Sequence, residues 1–202
     1  MRFVAEDTVK YLTETLSIPY YYFPTSYDAE FVANGYMEIA ALLGKPIPDL
    51  SGQVAKAEND ARETASLLNG LPIALDSSGS LMPFTTAKAL MKYGFNIKYI
   101  FRTKYILDFD IKAYEEITAN PGSIKILWKD DYKNLDPAME DRHCLAIGED
   151  SARLLNTNYL ANIWHDEGYF GFHGIHKLMA LIRESVSEAR RSLSNKQMEG
   201  ED

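Results

Sequence analysis

The histidines are the first candidates for chemistry in this sequence. His165 stands between Trp164 and Asp166 at the expected carboxyl end of a strand. There it could bind a metal, or it could transfer protons while Asp166 adjusts its basicity. The same position suits a loop histidine that is simply hydrogen-bonded to a carboxylate. His173 and His176 could share a helix face, but no nearby cysteine or glutamate completes a ligand set, so we expect no metal site from this chain alone.

The cysteine content restricts redox chemistry. The sequence has one cysteine, Cys144, in the apolar run Cys-Leu-Ala-Ile, where a free thiol is expected to behave as a small buried hydrophobe. Its neighbour His143 should point to the opposite face of the strand, so a Cys–His nucleophile pair is not expected. Iron–sulfur clusters usually need four thiolates. Any such cluster would therefore have to be shared with another chain.

Two short polar loops are candidates for ligand binding. Ser77, Ser78 and Gly79 follow one predicted strand, and Gly148 opens the loop after another. Both loops precede helices, so their backbone N–H groups could hold an anion, or the loops could be ordinary turns. No G-x-G-x-x-G or Walker pattern is present, which gives little support to a dinucleotide or ATP site.

The charge balance excludes one class of partner. The net charge is −8, from 29 acidic and 21 basic residues, whereas nucleic-acid binding depends on neutralising phosphates with positive charge. Arg102 and Lys104 are the positive charges expected near the polar loops, where they could bind a carboxylate-bearing ligand or remain a solvated pair. No apolar run approaches the ~20 residues of a membrane span, and acids occupy the first residues, so we expect a cytoplasmic protein.

These candidates need a scaffold, and the order of elements predicts an α/β one. Strands are predicted over 71–75, 95–101, 124–128, 143–147 and 159–164. Their alternation with helices predicts a Rossmann-like, doubly wound parallel sheet with helices on both faces. Ligands of such sheets bind at the carboxyl ends of the strands. The loops 76–82, 102–108, 148–151 and 164–171 should therefore share one edge.

Other elements are predicted outside this repeating pattern. Before it, we expect a helix over 2–16, a strand over 18–23, a helix from the N-cap Asp28 to Gly44, and a helix from Ser51 to Gly70. A single helical turn is predicted over 136–141. After the sheet, a long amphipathic helix is expected over 172–193, followed by a flexible tail over 194–202.

A glycine-rich aromatic corner joins the last predicted strand to the last helix. Gly168, Gly171 and Gly174 are spaced by three, with Tyr169 and two phenylalanines between them. This Gly-Tyr-x-Gly-Phe-x-Gly corner resembles the last strand and helix of nitrogenase component 1 proteins. That family includes the molybdenum-iron protein, its cofactor-assembly scaffold and the dark-operative protochlorophyllide reductase. The segment Ser17-Ile18-Pro19-Tyr20, the Lys-Tyr-Gly-Phe end of the helix before residue 96, and the strand ending at Gly148 also resemble that family, in the same order and spacing.

The resemblance implies a domain organisation and a function. Residues 1–50 would be the tail of a preceding domain, and 51–193 the carboxy-terminal Rossmann-like domain with its linking helix. The family's full subunit is about two to three times longer, so the chain resembles a carboxy-terminal piece or a shortened paralogue. It would form one wall of a cofactor or substrate cleft, with Ser77, Ser78, Gly79, Arg102 and Gly148 from the loops and His165, Tyr169 and Gly171 from the corner.

The resemblance also implies cofactors and partners that the chain does not carry itself. An iron–sulfur or metal cluster, or a tetrapyrrole substrate, would bind only with other domains or with a homologous component 1 subunit, and an ATP-dependent iron protein would deliver electrons. The catalytic subunit's histidine ligand aligns without gaps near Ala161 rather than His165. The iron-molybdenum cofactor site is therefore not implied. The alternatives are a non-redox small-ligand-binding module and an assembly or structural subunit.

Overall fold

A five-stranded parallel sheet organises the chain. The computed structural model describes residues 6–128 and 141–199, with side chains for 7–128 and 141–189. The strands are β1 Pro72–Asp76, β2 Asn96–Arg102, β3 Lys125–Trp128, β4 Leu145–Ile147 and β5 Leu160–Ala161. Their order is β3-β2-β1-β4-β5, with every pair parallel. The predicted α/β, Rossmann-like doubly wound fold is confirmed.

The helices are α1 Glu6–Leu16, α2 Ala29–Leu42, α3 Ser51–Leu68, α4 Pro83–Lys92, α5 Asp108–Ala119, α6 Glu149–Leu155 and α7 Gly171–Glu199. Helices from α3 onward cover both faces of the sheet. Side chains of β1 alternate between the two faces, as a strand requires. Ile73 and Leu75 join the larger core beneath α3, α4, α5 and α7, and Ala74 joins a smaller core with Leu155 of α6.

Part of the chain before the sheet shares the larger core. Tyr27, Ala29 and Val32 are almost fully buried and pack in the same cluster as the strands. Asp28 caps α2 as predicted, because its carboxylate accepts hydrogen bonds from the backbone N–H groups of Glu30 and Phe31. Within the described part of the chain, no helix combines the length and apolar character needed to cross a bilayer.

Three predicted elements differ from the structure. The strand predicted over 18–23 is wrong: residues 17–26 are irregular and outside the sheet. Prolines at both ends disfavour strand pairing there, and Tyr22 instead stacks on Phe109 with ring centroids 4.1 Å apart. The last strand is only two residues long, and α7 continues to Glu199 rather than ending at 193. The helical turn predicted over 136–141 falls, except for Asp141, outside the described residues.

Candidate functional site

The carboxyl ends of β1 and β4 meet where the strand order reverses, which is where ligands bind in doubly wound sheets. Asp76, the last residue of β1, is 1 % exposed. Its carboxylate accepts hydrogen bonds from the N–H groups of Ser78 at 2.6 Å, Gly79 at 3.3 Å and Ser151 at 2.6 Å. The loops after β1 and β4 are therefore fixed to each other through one buried side chain.

Two glycines allow this close approach. A Cβ at Gly79 would lie 2.5 Å from the carbonyl oxygen of Ile147. Gly148 has φ +119°, and a Cβ there would lie within 3.0 Å of the Asp76 carboxylate. Only glycine accepts both the backbone conformation and the contact at this second position. The predicted site residues Ser78, Gly79 and Gly148 are thus brought together by the close packing of the loops after β1 and β4.

His165 lies on the same edge and is held there by the β1 loop. Its backbone N–H donates to the carbonyl of Ser78 at 2.9 Å, and its ring Nδ1 lies 2.8 Å from the carbonyl oxygen of Ser77. A carbonyl oxygen only accepts, so Nδ1 carries a proton and Nε2 is left for another partner. The exposed ring also packs edge-on against Trp164. The structure therefore presents an oriented imidazole at the edge.

Asp166 does not bind His165 but anchors the loop that carries it. This carboxylate accepts the Tyr27 hydroxyl at 2.8 Å, the Ser80 hydroxyl at 3.0 Å and the Leu81 N–H at 3.0 Å. Burial raises the pKa of Asp166, while these three donors oppose that rise. The pKa of Tyr27 is also raised, by burial first and then by the nearby carboxylate. This network joins the segment before α2 to the loops that follow β1 and β5.

A third buried carboxylate occupies the amino-terminal end of α4. Asp110 of α5 accepts the N–H of Phe84 at 3.2 Å and both the N–H and the hydroxyl of Thr85 at 2.6 Å. Burial raises the pKa of Asp110, and the three donors again oppose it. In many Rossmann-like proteins a ligand phosphate binds at such a helix end. Here the first-turn N–H groups already have an acceptor from the protein itself.

Arg102 differs from the other predicted site residues in its surroundings. It ends β2, one strand away from β1, and it is 8 % exposed. Its guanidinium carbon lies 3.5 Å from the ring centroid of Trp128 and 4.8 Å from that of Tyr114. Lys104 is exposed. Arg102 is therefore not one half of a solvated pair, which was one of the two interpretations of the sequence.

The aromatic corner packs against the segment before α3. Tyr169 is buried, with the Lys177 ammonium 4.5 Å from its ring centroid. Gly171 has φ +63° and touches the Tyr36 hydroxyl so closely that a Cβ would overlap it. A Cβ at Gly174 would similarly overlap the backbone of Tyr169. The glycine spacing thus serves close packing of this corner.

Metal-binding and thiol chemistry have little support among the described residues. Cys144 is fully buried, and burial raises its pKa to about 12. His173 is exposed, whereas His176 is bonded to Asp60 at 2.6 Å, so the two histidines do not form a pair. Across residues 6–128 and 141–199 no group of three or more histidine, cysteine or acidic side chains is arranged to hold a metal ion.

The sequence interpretation missed the residues that organise this edge. Asp76, Asp110 and Asp166 each accept hydrogen bonds from a distant segment of the chain, yet the sequence suggests Asp166 only as a partner of His165. A carboxylate at the end of an otherwise apolar strand was the available signal for Asp76. No comparable signal marked Asp110 on α5, because its partners lie 25 and 26 residues away.

Comparison with known proteins adds no relative. No protein-family model matches the chain, and a search of curated proteins finds no match either.

Proposed function

We propose that this chain is the carboxy-terminal domain of a nitrogenase component 1-like oxidoreductase. In this proposal it forms one wall of a cofactor or substrate cleft, is not catalytic alone, and works in the cytoplasm. The observation that carries the proposal is the ordered set of family-like motifs, ending in the Gly-Tyr-x-Gly-Phe-x-Gly corner, on a chain that folds as a Rossmann-like domain. The motifs at Gly148 and at the corner lie beside the edge where such domains bind ligands.

The edge itself supports the role of a rigid wall. Three loops are joined by the carboxylates of Asp76 and Asp166, so their positions do not depend on a ligand. His165 projects its ring from this edge with Nε2 available. A pre-ordered surface of this kind suits a site completed by a second protein surface, because little ordering cost remains when the two meet.

The residues of this chain indicate which parts of the proposed chemistry belong to other chains. Its single cysteine is buried, with a pKa raised to about 12, so it is a poor cluster ligand. The amino-terminal end of α4 is already occupied by Asp110, which disfavours a nucleotide phosphate there. We therefore assign any iron–sulfur cluster to a homologous, cysteine-bearing subunit or domain, and ATP use to a separate iron protein.

The direct test is anaerobic isolation of the tagged protein from its native cell. Iron, sulfide and bound tetrapyrrole are measured, and co-isolated chains are identified by mass spectrometry. The proposal predicts a complex that holds iron and a homologous chain with additional cysteines. An iron-free species of 22.9 kDa that never associates with such a chain would refute it.

A variant pair tests the wall within such a complex. His165→Gln should lower substrate turnover, because it alters the ring presented to the cleft, while the iron content stays unchanged. His143→Gln is the matched control, since His143 is also exposed but precedes β4 at the amino end of the sheet. Equal turnover in both variants would place the cleft elsewhere.

One observation favours a second candidate, a non-redox small-ligand-binding module. The described chain holds a buried cationic side chain, Arg102, but no cluster-binding set. A small ligand that stabilises the isolated protein, together with an iron-free native species, would favour this candidate. A stable but iron-free complex with a longer homologous chain would instead indicate an assembly or structural subunit.

A further inference from the structure

Arg102 is a buried cation that contacts no counter-charge among the described residues. Arg102 is the last residue of β2, and its guanidinium lies over the rings of Tyr114 and Trp128. Within the described residues it makes no ion pair and no hydrogen bond. Its Nε has no access to solvent and no acceptor. Buried charges in proteins are normally paired and hydrogen-bonded, so this arrangement is costly in the free chain.

The two rings hold the guanidinium without using its donors. Stacking against an aromatic face stabilises the cation, and more so in a site shielded from water. It does not satisfy any of the five N–H groups, which lie in the plane of the guanidinium. The rings therefore fix the plane of the Arg102 guanidinium, and its N–H groups remain available to another partner.

We propose that Arg102 is the binding site for a carboxylate group of the ligand. The guanidinium edge formed by the two terminal nitrogens matches the two oxygens of a carboxylate in a paired, parallel geometry, and it is the edge that remains for a ligand because Nε is shielded from solvent. Arg102 ends β2, so it stands at the same edge of the sheet as the loops after β1 and β4. This inference rests on the proposed cleft and specifies what the cleft recognises: a small molecule with a carboxylate side arm.

A carboxylate fits this position better than a phosphate does. Phosphate sites in such folds usually add a helix amino terminus to the basic side chain. The first turn of α4 is already filled by Asp110, which would also repel a second, doubly charged anion nearby. A singly charged, planar group feels about half of that repulsion and uses both donors of the guanidinium edge.

The test uses the purified full chain and follows the Arg102 guanidinium through its Nε–H signal, which shifts when a carboxylate pairs with the neighbouring terminal nitrogens. Acetate is titrated at constant ionic strength while the Arg102 Nε–H signal is followed by ¹⁵N-correlated NMR, with the signal assigned by its loss in Arg102→Lys. The expected result is a saturable shift with half-saturation on the order of 1–10 mM, as befits so small a ligand. Acetamide, which is isosteric but neutral, should not shift the signal.

Two matched measurements complete the test. The Nε–H signal of Arg153 serves as a control, because this exposed side chain already pairs with Asp150 and should not respond to acetate. Arg102→Met should abolish the acetate-dependent rise in melting temperature. The same variant, without acetate, should melt within about 3 °C of the wild type or above it, since an unpaired buried charge has been removed.

The possible outcomes separate this inference from its competitors. An unmoved Arg102 signal, tighter binding of inorganic phosphate than of acetate, or a strongly destabilised Arg102→Met variant with no acetate effect would each overturn it. The last result would mean that Arg102 supports the fold only. The proposed redox function has its own readout, the iron content of the native complex. An iron-containing complex with no acetate binding would refute the carboxylate site and leave the oxidoreductase proposal standing.

Discussion

Two buried aspartates offer a sharp test of how the edge loops are held. Asp110 and Asp166 are 1 % and 8 % exposed, and each accepts three hydrogen bonds. The donors differ in kind. Both oxygens of Asp110 accept a backbone N–H, whereas one oxygen of Asp166 accepts only the hydroxyl of Tyr27. We expect Asp110→Asn to destabilise the protein clearly and Asp166→Asn to be tolerated.

The magnitude follows from the amide group of asparagine, which has one accepting oxygen and one donating nitrogen. At position 166 the nitrogen can face Tyr27, whose hydroxyl rotates to accept, while the oxygen keeps the Leu81 N–H. At position 110 the nitrogen must face a backbone N–H that cannot reverse. The unpaired donor costs about 1–3 kcal/mol, and the lost charge at the start of α4 adds about 0.3–1 kcal/mol.

The assay is reversible thermal and urea unfolding at neutral pH, followed by circular dichroism. For a chain of this size each kcal/mol lowers the melting temperature by about 2–4 °C. Asp110→Asn should therefore melt about 6 °C below the wild type, and Asp166→Asn within about 3 °C of it. Removal of a buried charge is common to both variants, so their difference reports the unpaired donor together with the smaller helix-end contribution at position 110. If Asp166→Asn proves equally or more destabilising, the reasoning from donor type is wrong.

Three further predictions concern the same edge and its core. Burial raises the pKa of Asp166, so the folded protein keeps a proton that the unfolded chain releases near pH 4. The free energy of unfolding of the wild type should therefore fall as pH rises from about 4 through the raised pKa. Asp166→Asn has no carboxyl group at this position and should lack this fall. Equal pH profiles in urea titrations would contradict this. Gly148→Ala should cost about 2 kcal/mol or more, because a Cβ would overlap the Asp76 carboxylate at a positive φ, whereas Gly122→Ala, also at positive φ but with open space, should cost about 1 kcal/mol. A smaller loss at 148 than at 122 would count against the close contact. Cys144 should resist iodoacetamide at pH 8 in the native state and react in urea, since burial raises its pKa to about 12; rapid native labelling would show that the thiol is accessible.

Much of the scaffold could be predicted from the sequence because its signals are local. The apolar runs of β1 to β4, the N-cap Asp28 and the 3.6-residue stripe of α7 each depend on neighbours within a few residues. The alternation of strands and helices then fixed the parallel class of the sheet, since parallel strands need crossover connections. Residues 18–23 misled this reasoning, because β-prone aromatic residues also pack in an irregular segment when no strand is available to pair.

The sequence by itself determined most of the elements, the fold class, the acidic charge and the residue types at the ends of the strands. Only the tertiary structure decided how those residues are used. It joined Asp76 to Ser151 across 75 residues, Asp166 to Tyr27 across 139, and Asp110 to the start of α4. It also placed Arg102 against the rings of Tyr114 and Trp128, with no described acceptor for its Nε. The physical reason is that burial and hydrogen-bond pairing of a side chain depend on residues distant in the chain, which no local pattern specifies.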